Sequence, residues 1–382
     1  MLTTLKNAFK IKEIRQKILF TLGMLVVIRI GSQLPVPGVD TKFFSQWFAQ
    51  QTGGAFSFFD AITGGSFLNM SILALNINPY ITSSIIMQLL TIAIPKLEEM
   101  QRDGEDGRKK MVAITRYVTI ALALIQSTAM AIGFGRQGYL IEFNALNVIT
   151  AITALTAGSA FLMWVGERIT EKGIGNGISI VLVINIISRL PQDLSNLFEQ
   201  FVFGKAPATA ILAVVIIFAI IIAMVVMVII LNDGVRKIPV QYAKKMQGRK
   251  MVGGQTSNIP LKVNTSGVIP IIFAQSIMQF PIIICSFIGY NGTGVWAEIL
   301  KGLNSGYWCK PSQPIYSLGL LFYIVLIVFF AYFYTSITFN PLMIADNMKK
   351  QGGFIPGIRP GKPTSDFITR TLNKITLIGA IF

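Results

Sequence analysis

Apolar runs close to the length of a membrane span recur along the chain, at about 18 to 34, 71 to 94, 112 to 134, 148 to 166, 176 to 190, 209 to 231, 267 to 289 and 317 to 338. A hydrocarbon core about 30 Å thick takes roughly 20 apolar residues per helix, so the pattern predicts eight spanning helices. A ninth run begins near Ile375 and reaches Phe382 too soon to cross, which predicts a native gene product that continues past Phe382. Ahead of the second run, FSFFDAITGGSFLNMS (Phe56 to Ser71) is apolar enough for a helix but too short to span, and Gly64 and Gly65 interrupt it. Irregular backbone at membrane depth is tolerated where it is buried in protein or lines a cavity. A half-helix or re-entrant piece is therefore expected, with an interfacial helix lying flat on the outer side as the open alternative.

Composition agrees with the pattern. Of 382 residues, 53% are hydrophobic and 13% charged, about half the charged share of a soluble domain, which excludes a soluble globular protein. The net charge of +16 is distributed unevenly. Lys and Arg concentrate in residues 1–17 and loops 95–116, 167–175, 232–266 and 339–374, while the opposite side holds only Lys42, Arg136, Arg189, Lys205, Lys301 and Lys310. Positive loops stay inside, so the N-terminus is cytosolic. The first run ends in QLPVPG without a small-residue cleavage site and reads as a retained span. The organisation expected is a cytosolic segment at 1–17, a first half at 18–190 with spans one to five and the broken segment at about 56–70, an external linker at 191–208, and a second half at 209–382. Loops 232–266 and 339–374 exceed what topology needs. The first interleaves its basic residues with Ile, Val, Tyr and Gly and reads as a ribbon or hairpin projecting into the cytosol; phosphate-rich partners and acidic protein faces both fit.

The missing chemistry narrows the function. There is no His, hence no imidazole base, and no acid sits centrally in a span, so intramembrane proteolysis has no catalytic group. Around Gly361-Lys362 the positions a phosphate loop needs are Pro356 and Pro363. KGIGNGIS reads as a tight turn and helix start, and Cys285 and Cys309 read as free thiols. One charge lies within a run, Arg29, expected to anchor the end of span one. Polar residues crowd span two (Asn76, Asn78, Thr82, Ser83, Ser84, Gln88) and recur as Gln126, Gln275 and Gln279; they serve either helix pairing or a surface that must open. The pairs Ile77/Ile81 and Ile178/Leu182 each share a helix face, which spacing alone does not distinguish from lipid-facing or core positions.

RIGSQLPVPGVD from Arg29, ALNINPYITSSIIMQLLT from Ala74, GEDGRKKM from Gly104, MWVGERITEKGIGNGISI from Met163, YAKKMQGR from Tyr242 and GIRPGKPT from Gly357 together resemble the SecY family of protein-translocase channels, from about Gln16 to Phe382. The resemblance implies an all-α polytopic fold of two pseudo-symmetric five-helix halves with a re-entrant plug helix, the ninth span truncated and the tenth absent here. It places the plug on Phe58, Phe59, Asp60, Ala61, Ile62, Thr63, Gly64, Gly65, Ser66, Phe67, Leu68 and Asn69. The pore ring falls on Ile77, Ile81, Ile178, Leu182 and Ile272, with Leu182 where many relatives have Ile. Thr82, Gln88, Gln126 and Phe280 match the lateral gate. Arg236, Lys244, Lys245, Arg249 and Lys250 match the contact tip of one docking loop, and Arg359 a position for motor-driven transport in the other. Implied partners are SecE, SecG, the SecA motor ATPase, the ribosome, signal sequences and nascent chains, and membrane lipids including acidic ones, in a bacterial cytoplasmic membrane, with no cofactor and no catalysis.

A secondary solute transporter with broken helices is the alternative. It would place polar or ionisable ligands at mid-membrane, where this chain has aliphatic candidates, and would not need large basic loops. A scaffold or insertase without a pore would leave the broken segment unexplained.

Overall fold

The structure is a computed structural model and describes residues 9–50, 60, 63–136, 138, 140–204, 207–242, 245–247, 250–252, 256–288, 294–304, 307–308 and 314–381. Its helices are α1 (Lys12–Gly31), α2 (Thr41–Gln50), α3 (Asn78–Ala93), α4 (Pro95–Arg102), α5 (Gly104–Arg136), α6 (Ala145–Lys172), α7 (Gly177–Phe201) and α8 (Pro207–Asp233). Strands β1 (Val235–Tyr242), β2 (Lys245–Gln247), β3 (Lys250–Val252) and β4 (Thr256–Lys262) follow, then α9 (Ile269–Ile288), α10 (Val295–Leu303), a 3-10 turn at Pro314–Ser317, α11 (Leu318–Thr338), α12 (Pro341–Lys350), β5 (Gly353–Phe354) and α13 (Lys362–Ile381). Among the described residues five helices are long and apolar enough to cross a membrane, six if α3 and α4, bent by 107° at their break, count as one span. The first of the eight expected spans is helical but diluted by Lys12, Glu13, Arg15, Lys17 and Arg29, and the seventh is apolar and helical over Ile269–Ile282.

The chain divides into two compact units, Met1–Leu197 with Ile282–Ala297, and Phe198–Pro281 with Glu298–Phe382. In the first, α6 is the central packing helix. Its buried residues Ala151, Leu155, Gly158, Leu162, Val165 and Ile169 recur at the three-to-four spacing that forms one face, and it packs against α5 and α1. Gly158 allows close approach, because a Cβ there would lie 2.0 Å from the Ile72 carbonyl oxygen. Small residues permit such backbone contacts where lipid supplies no hydrophobic drive for association.

In the second unit, β1 pairs antiparallel with β4, Val235 opposite Lys262 through Gln241 opposite Thr256, and β5 lines its other edge; β2 and β3 form a separate hairpin. The ribbon expected in this loop is thus present. Ile238 and Val240 alternate inward along β1 and pack with Leu261, Met348, Ile355, Ile368 and Ile375, a period-two pattern. All of α8 is described and none of its residues is buried, as suits a helix whose most apolar 18-residue stretch has a mean hydropathy of 3.7, since a helix apolar on every face belongs in a lipid or protein interior.

Several boundaries differ from the sequence expectation. Span two does not become a regular helix at residue 71: Ser71 bridges to Pro35 and residues 72–77 run in turns, with Asn76 in the left-handed region (φ 52°), and α3 starts at Asn78 with Pro79 in its first turn. Apolar character marks burial here, not helix, and Pro is favoured at a helix start. In the segment before it, Asp60 and Thr63 are helical but residues 64–70 are turns, because Gly64 (φ 66°) and Gly65 (φ 84°) end the helix. Helix α7 continues through Pro191 into residues expected to be linker. The loops expected at 95–116 and 339–374 are largely helical, as α4 with the start of α5 and as α12 with α13. The last helix therefore begins at Lys362, well before the apolar run at Ile375 that announced it.

Candidate functional site

The most unusual chemistry of the first unit lies in the segment from Asp60 to Ile77. Asp60 is fully buried. Its Oδ1 accepts the Leu68 N–H at 2.8 Å, and its Oδ2 forms an ion pair with the Arg189 guanidinium of α7. Arg189 also reaches Asp193 at 3.5 Å. An ionised carboxylate out of water requires a partner. The sequence reading placed Asp60 in the broken segment and Arg189 among loop charges without joining them. An acid inside an apolar stretch signals that a cation must come from elsewhere, but its identity depends on tertiary structure.

Backbone approach is equally close. A Cβ on Gly64 would sit 2.6 Å from the Asn185 carbonyl oxygen of α7. Arg29 Nη1 donates to the Gly64 carbonyl at 3.3 Å, so the charge expected to anchor the end of span one does so on this segment. The Val36 N–H donates to Met70 O and the Ile72 N–H to Leu34 O, each at 2.9 Å. Asn185 Nδ2 donates to Asn76 Oδ1 at 3.1 Å, and Ser159 Oγ donates to Asn76 O at 3.2 Å. Phe67 joins Phe44 and Phe134 in edge-to-face contacts at centroid distances of 5.7 and 6.3 Å. The described part of the segment is thus buried in protein, as the re-entrant reading requires. Phe58, Phe59, Ala61 and Ile62 lie outside the described residues.

Of the five candidate ring residues, three come together. Fully buried Ile77 and half-buried Ile81 and Ile178 pack in one cluster with Leu162, Val165 and Val181. Leu182 is half-buried on α7 outside that cluster, and half-buried Ile272 lies on α9 in the other unit. The glycine turn at KGIGNGIS has a packing role: a Cβ on Gly177 would lie 2.0 Å from Gly166 O.

At the gate positions, Thr82 and Gln126 are half-buried, Gln88 is exposed and Phe280 is 66% exposed. The seam between α3 and α5 is instead hydrogen-bonded by Ser83, whose Oγ donates to Thr115 O at 2.8 Å. The polar crowding of span two therefore divides: Asn76 and Ser83 pair with neighbouring elements, while Thr82 is half-buried and Gln88 exposed.

The docking candidates also divide. Lys245 and Lys250 belong to the β2–β3 hairpin and Lys244 and Arg249 lie outside the described residues. Arg236 is elsewhere, opposite Leu261 near the start of β1 and close to the end of α8. Exposed Arg359 precedes α13, and its carbonyl accepts from Thr364 Oγ1 at 2.8 Å. Among the described residues no cluster of His, Cys, Asp or Glu could hold a metal, and Cys285 is a free thiol; Cys309 lies outside them.

Long apolar helices, a helix that begins at a buried polar turn segment, and a sheet and hairpin carrying the basic loops define a polytopic helical membrane protein. A SecY family model matches residues 71–382. The protein translocase subunit SecY of Escherichia coli (strain K12) is 42% identical over 376 residues, covering 97% of this chain and 82% of that protein. A solved structure described as that of a protein conducting channel superposes with a TM-score of 0.65 at 19% identity, over 96% of this chain and 83% of the other. Sec61 in the canine ribosome-channel complex from the endoplasmic reticulum aligns with a TM-score of 0.59 at 17% identity, again over 96% and 83%. The chain belongs to the SecY family.

Proposed function

We propose that this chain is the central channel subunit of a protein translocase, passing unfolded polypeptides across the membrane and releasing apolar segments sideways into lipid. It is a channel and not an enzyme. The observation that carries the reading is buried Asp60 with the stretch from Gly64 to Ile77, irregular backbone held inside the protein by specific polar contacts and ending in the aliphatic cluster of Ile77, Ile81 and Ile178. A solute transporter would need polar ligands in that place. Aliphatic side chains instead pack around a moving chain without hydrogen-bonding to it, and exclude ions by dewetting.

In this reading residues 58–69 are the plug; Ile77, Ile81, Ile178, Leu182 and Ile272 contribute to the ring; and Thr82, Gln88, Gln126 and Phe280 belong to the lateral gate. A signal sequence shifts the closed and open populations by binding the open state better. The β2–β3 hairpin and Arg359 dock the driving partner, the SecA motor or the ribosome, while SecE and SecG complete the membrane complex. The first unit and the second correspond to the two halves, in a bacterial cytoplasmic membrane with the N-terminus cytosolic.

The test uses a translocation-stalled precursor bearing one cysteine, with Cys285 and Cys309 replaced by Ser. Ile81→Cys and Ile178→Cys should form disulfides with the precursor, whereas Ile216→Cys on lipid-facing α8 should not. Equal cross-linking at all three positions, or at α8 alone, would remove the assigned path.

A further inference from the structure

The second unit contains a cleft of about 550 Å³ among α11, α12 and α13. Its walls are α11 from Tyr332 to Phe339, the first turns of α12, and α13 from Lys362 to Asn373. The stretch 339–374 is strongly basic, yet its only two acids, Asp346 and Asp366, both line this cleft. They come from different helices, Asp346 from α12 and Asp366 from α13. Neither makes an ion pair among the described residues, and neither does Lys362, the one cation of the lining.

A second observation comes from α11. Thr335 lies on the cleft wall, is only 3% exposed, and its Oγ1 has no hydrogen-bond partner among the described residues. Its neighbours Ser336 and Thr338 bond back to their own helix, at Phe333 O (2.7 Å) and Tyr334 O (3.0 Å). Buried hydroxyls are normally satisfied, so the unmet one on this wall marks an acceptor for an occupant.

The lining discriminates between cations. Every polar residue in it except Lys362 carries a side-chain oxygen, and Phe339, Leu342 and Leu372 add apolar surface. A bare magnesium ion demands near-octahedral oxygen ligands and needs no apolar wall. An ammonium group offers three donors and no acceptor, and an alkyl chain between ammonium groups packs on apolar surface as a lysine stem does.

We propose that this cleft binds a linear alkyl polyamine, one ammonium on Asp346 and another on Asp366, with the Thr335 hydroxyl as a further acceptor and the methylenes against the apolar wall. The occupant braces α12 against α13, the helices that flank Arg359 in sequence. The assignment rests on the geometry of the second unit and not on the channel reading.

The full chain in neutral detergent is equilibrated with labelled spermidine, with magnesium chloride as the competing cation. A net charge of +16 repels free cations, so retained spermidine reports a built site. Asp346→Asn and Asp366→Asn should each weaken binding by roughly fivefold, and Lys362→Gln should strengthen it by about threefold because it removes a competing cation. Thr335→Val should weaken binding by roughly fivefold, yet leave thermal unfolding without spermidine unchanged or raised, since it deletes an unpaired buried hydroxyl. Asp233→Asn, in the same unit but outside the cleft, should leave binding within about twofold of wild type. Spermidine should slow amide exchange along α12 in the wild type and not in the variant carrying both Asp346→Asn and Asp366→Asn. Unchanged binding in that double variant, or an equal loss in Asp233→Asn, would overturn the site. Displacement by magnesium at equal concentration would overturn it in favour of a hydrated metal ion. Absent spermidine binding, with motor or ribosome binding lost in the double variant, would overturn it in favour of a macromolecular partner. Failure of precursor cross-linking leaves this measurement unaffected, and the converse also holds.

Discussion

The polar groups of the two units are handled in opposite ways. In the first, the important charges are inside: Asp60 is fully buried against Arg189, and Arg29 donates to the Gly64 carbonyl. In the second, Arg236, Lys237, Lys349, Lys350, Arg359, Lys362, Arg370 and Lys374 are exposed over an apolar core centred on Ile238, Leu261 and Ile368. A buried charge that loses its partner is costly, whereas an exposed one contributes little to folding. Substitutions in the first unit should therefore register as lost packing and leak, and those in the second as lost partnership with the fold intact.

The largest effect is expected from Arg189→Leu. It leaves Asp60 buried and unpaired, at a cost of about 3–5 kcal/mol. Thermal unfolding should shift down, and bilayer recordings should show ion leak without precursor. Adding Asp60→Leu should recover most of the loss, since an apolar pair can replace a buried ion pair at little cost; a double variant as unstable as the single would contradict the pairing. Gly64→Ala comes next. It places a Cβ at a φ of 66° and 2.6 Å from a backbone carbonyl of α7, and the left-handed conformation alone costs about 1–2 kcal/mol. Leak with near-normal unfolding would indicate that the segment moves out; no change in either would show that it is not held as described.

Arg359→Glu tests the other side of the comparison. Motor-dependent export should be abolished while unfolding stays within about 0.5 kcal/mol of wild type, the range for exposed positions. A destabilised protein, or normal export, would remove the contrast.

The smallest effect concerns exposed Glu298, which accepts hydrogen bonds from Tyr316 and, at 3.3 Å, from Lys301. The bond from Tyr316 first, then that from Lys301, holds the Glu298 carboxyl below its ordinary value, and the bond to Glu298 lifts the Lys301 ammonium above its own. The carboxylate's contribution is present above the usual carboxylate range and lost as pH falls through the lowered value. That of Lys301 is present below the usual ammonium value and lost as pH rises through the raised one. Amide protection along α10, taken relative to the intrinsic exchange rate at each pH, should be greatest at neutral pH and lower at both extremes; a flat profile would show the cluster to be inert.

Much of this was legible in the sequence, and the misses share a cause. The long runs of α5, α6 and α8 declared themselves because lipid imposes one composition on every face of a span. The basic ribbon was legible in the interleaved β-formers of 232–266. Apolar content misled where it meant burial without helix, as at residues 71–76, and where amphipathic helices such as α12 replaced an expected loop. Asp60, an acid inside an apolar stretch, signalled that it needs a cation, but Arg189 was not legible as its partner because it is far away in sequence and alone looks like an ordinary loop cation. Ile77, Ile81 and Ile178 were singled out through the family motifs, since helical spacing alone does not say which aliphatic residues pack together as these do.

The central claim is that a polypeptide crosses the membrane through this chain. The direct measurement reconstitutes the full-length protein with SecE and SecG in liposomes, adds the motor, ATP and a precursor with a signal sequence, and scores protection of the precursor from external protease. The account predicts protected precursor with wild type and none with Arg359→Glu. A well-folded complex that protects no precursor, and accumulates a small solute instead, would contradict it.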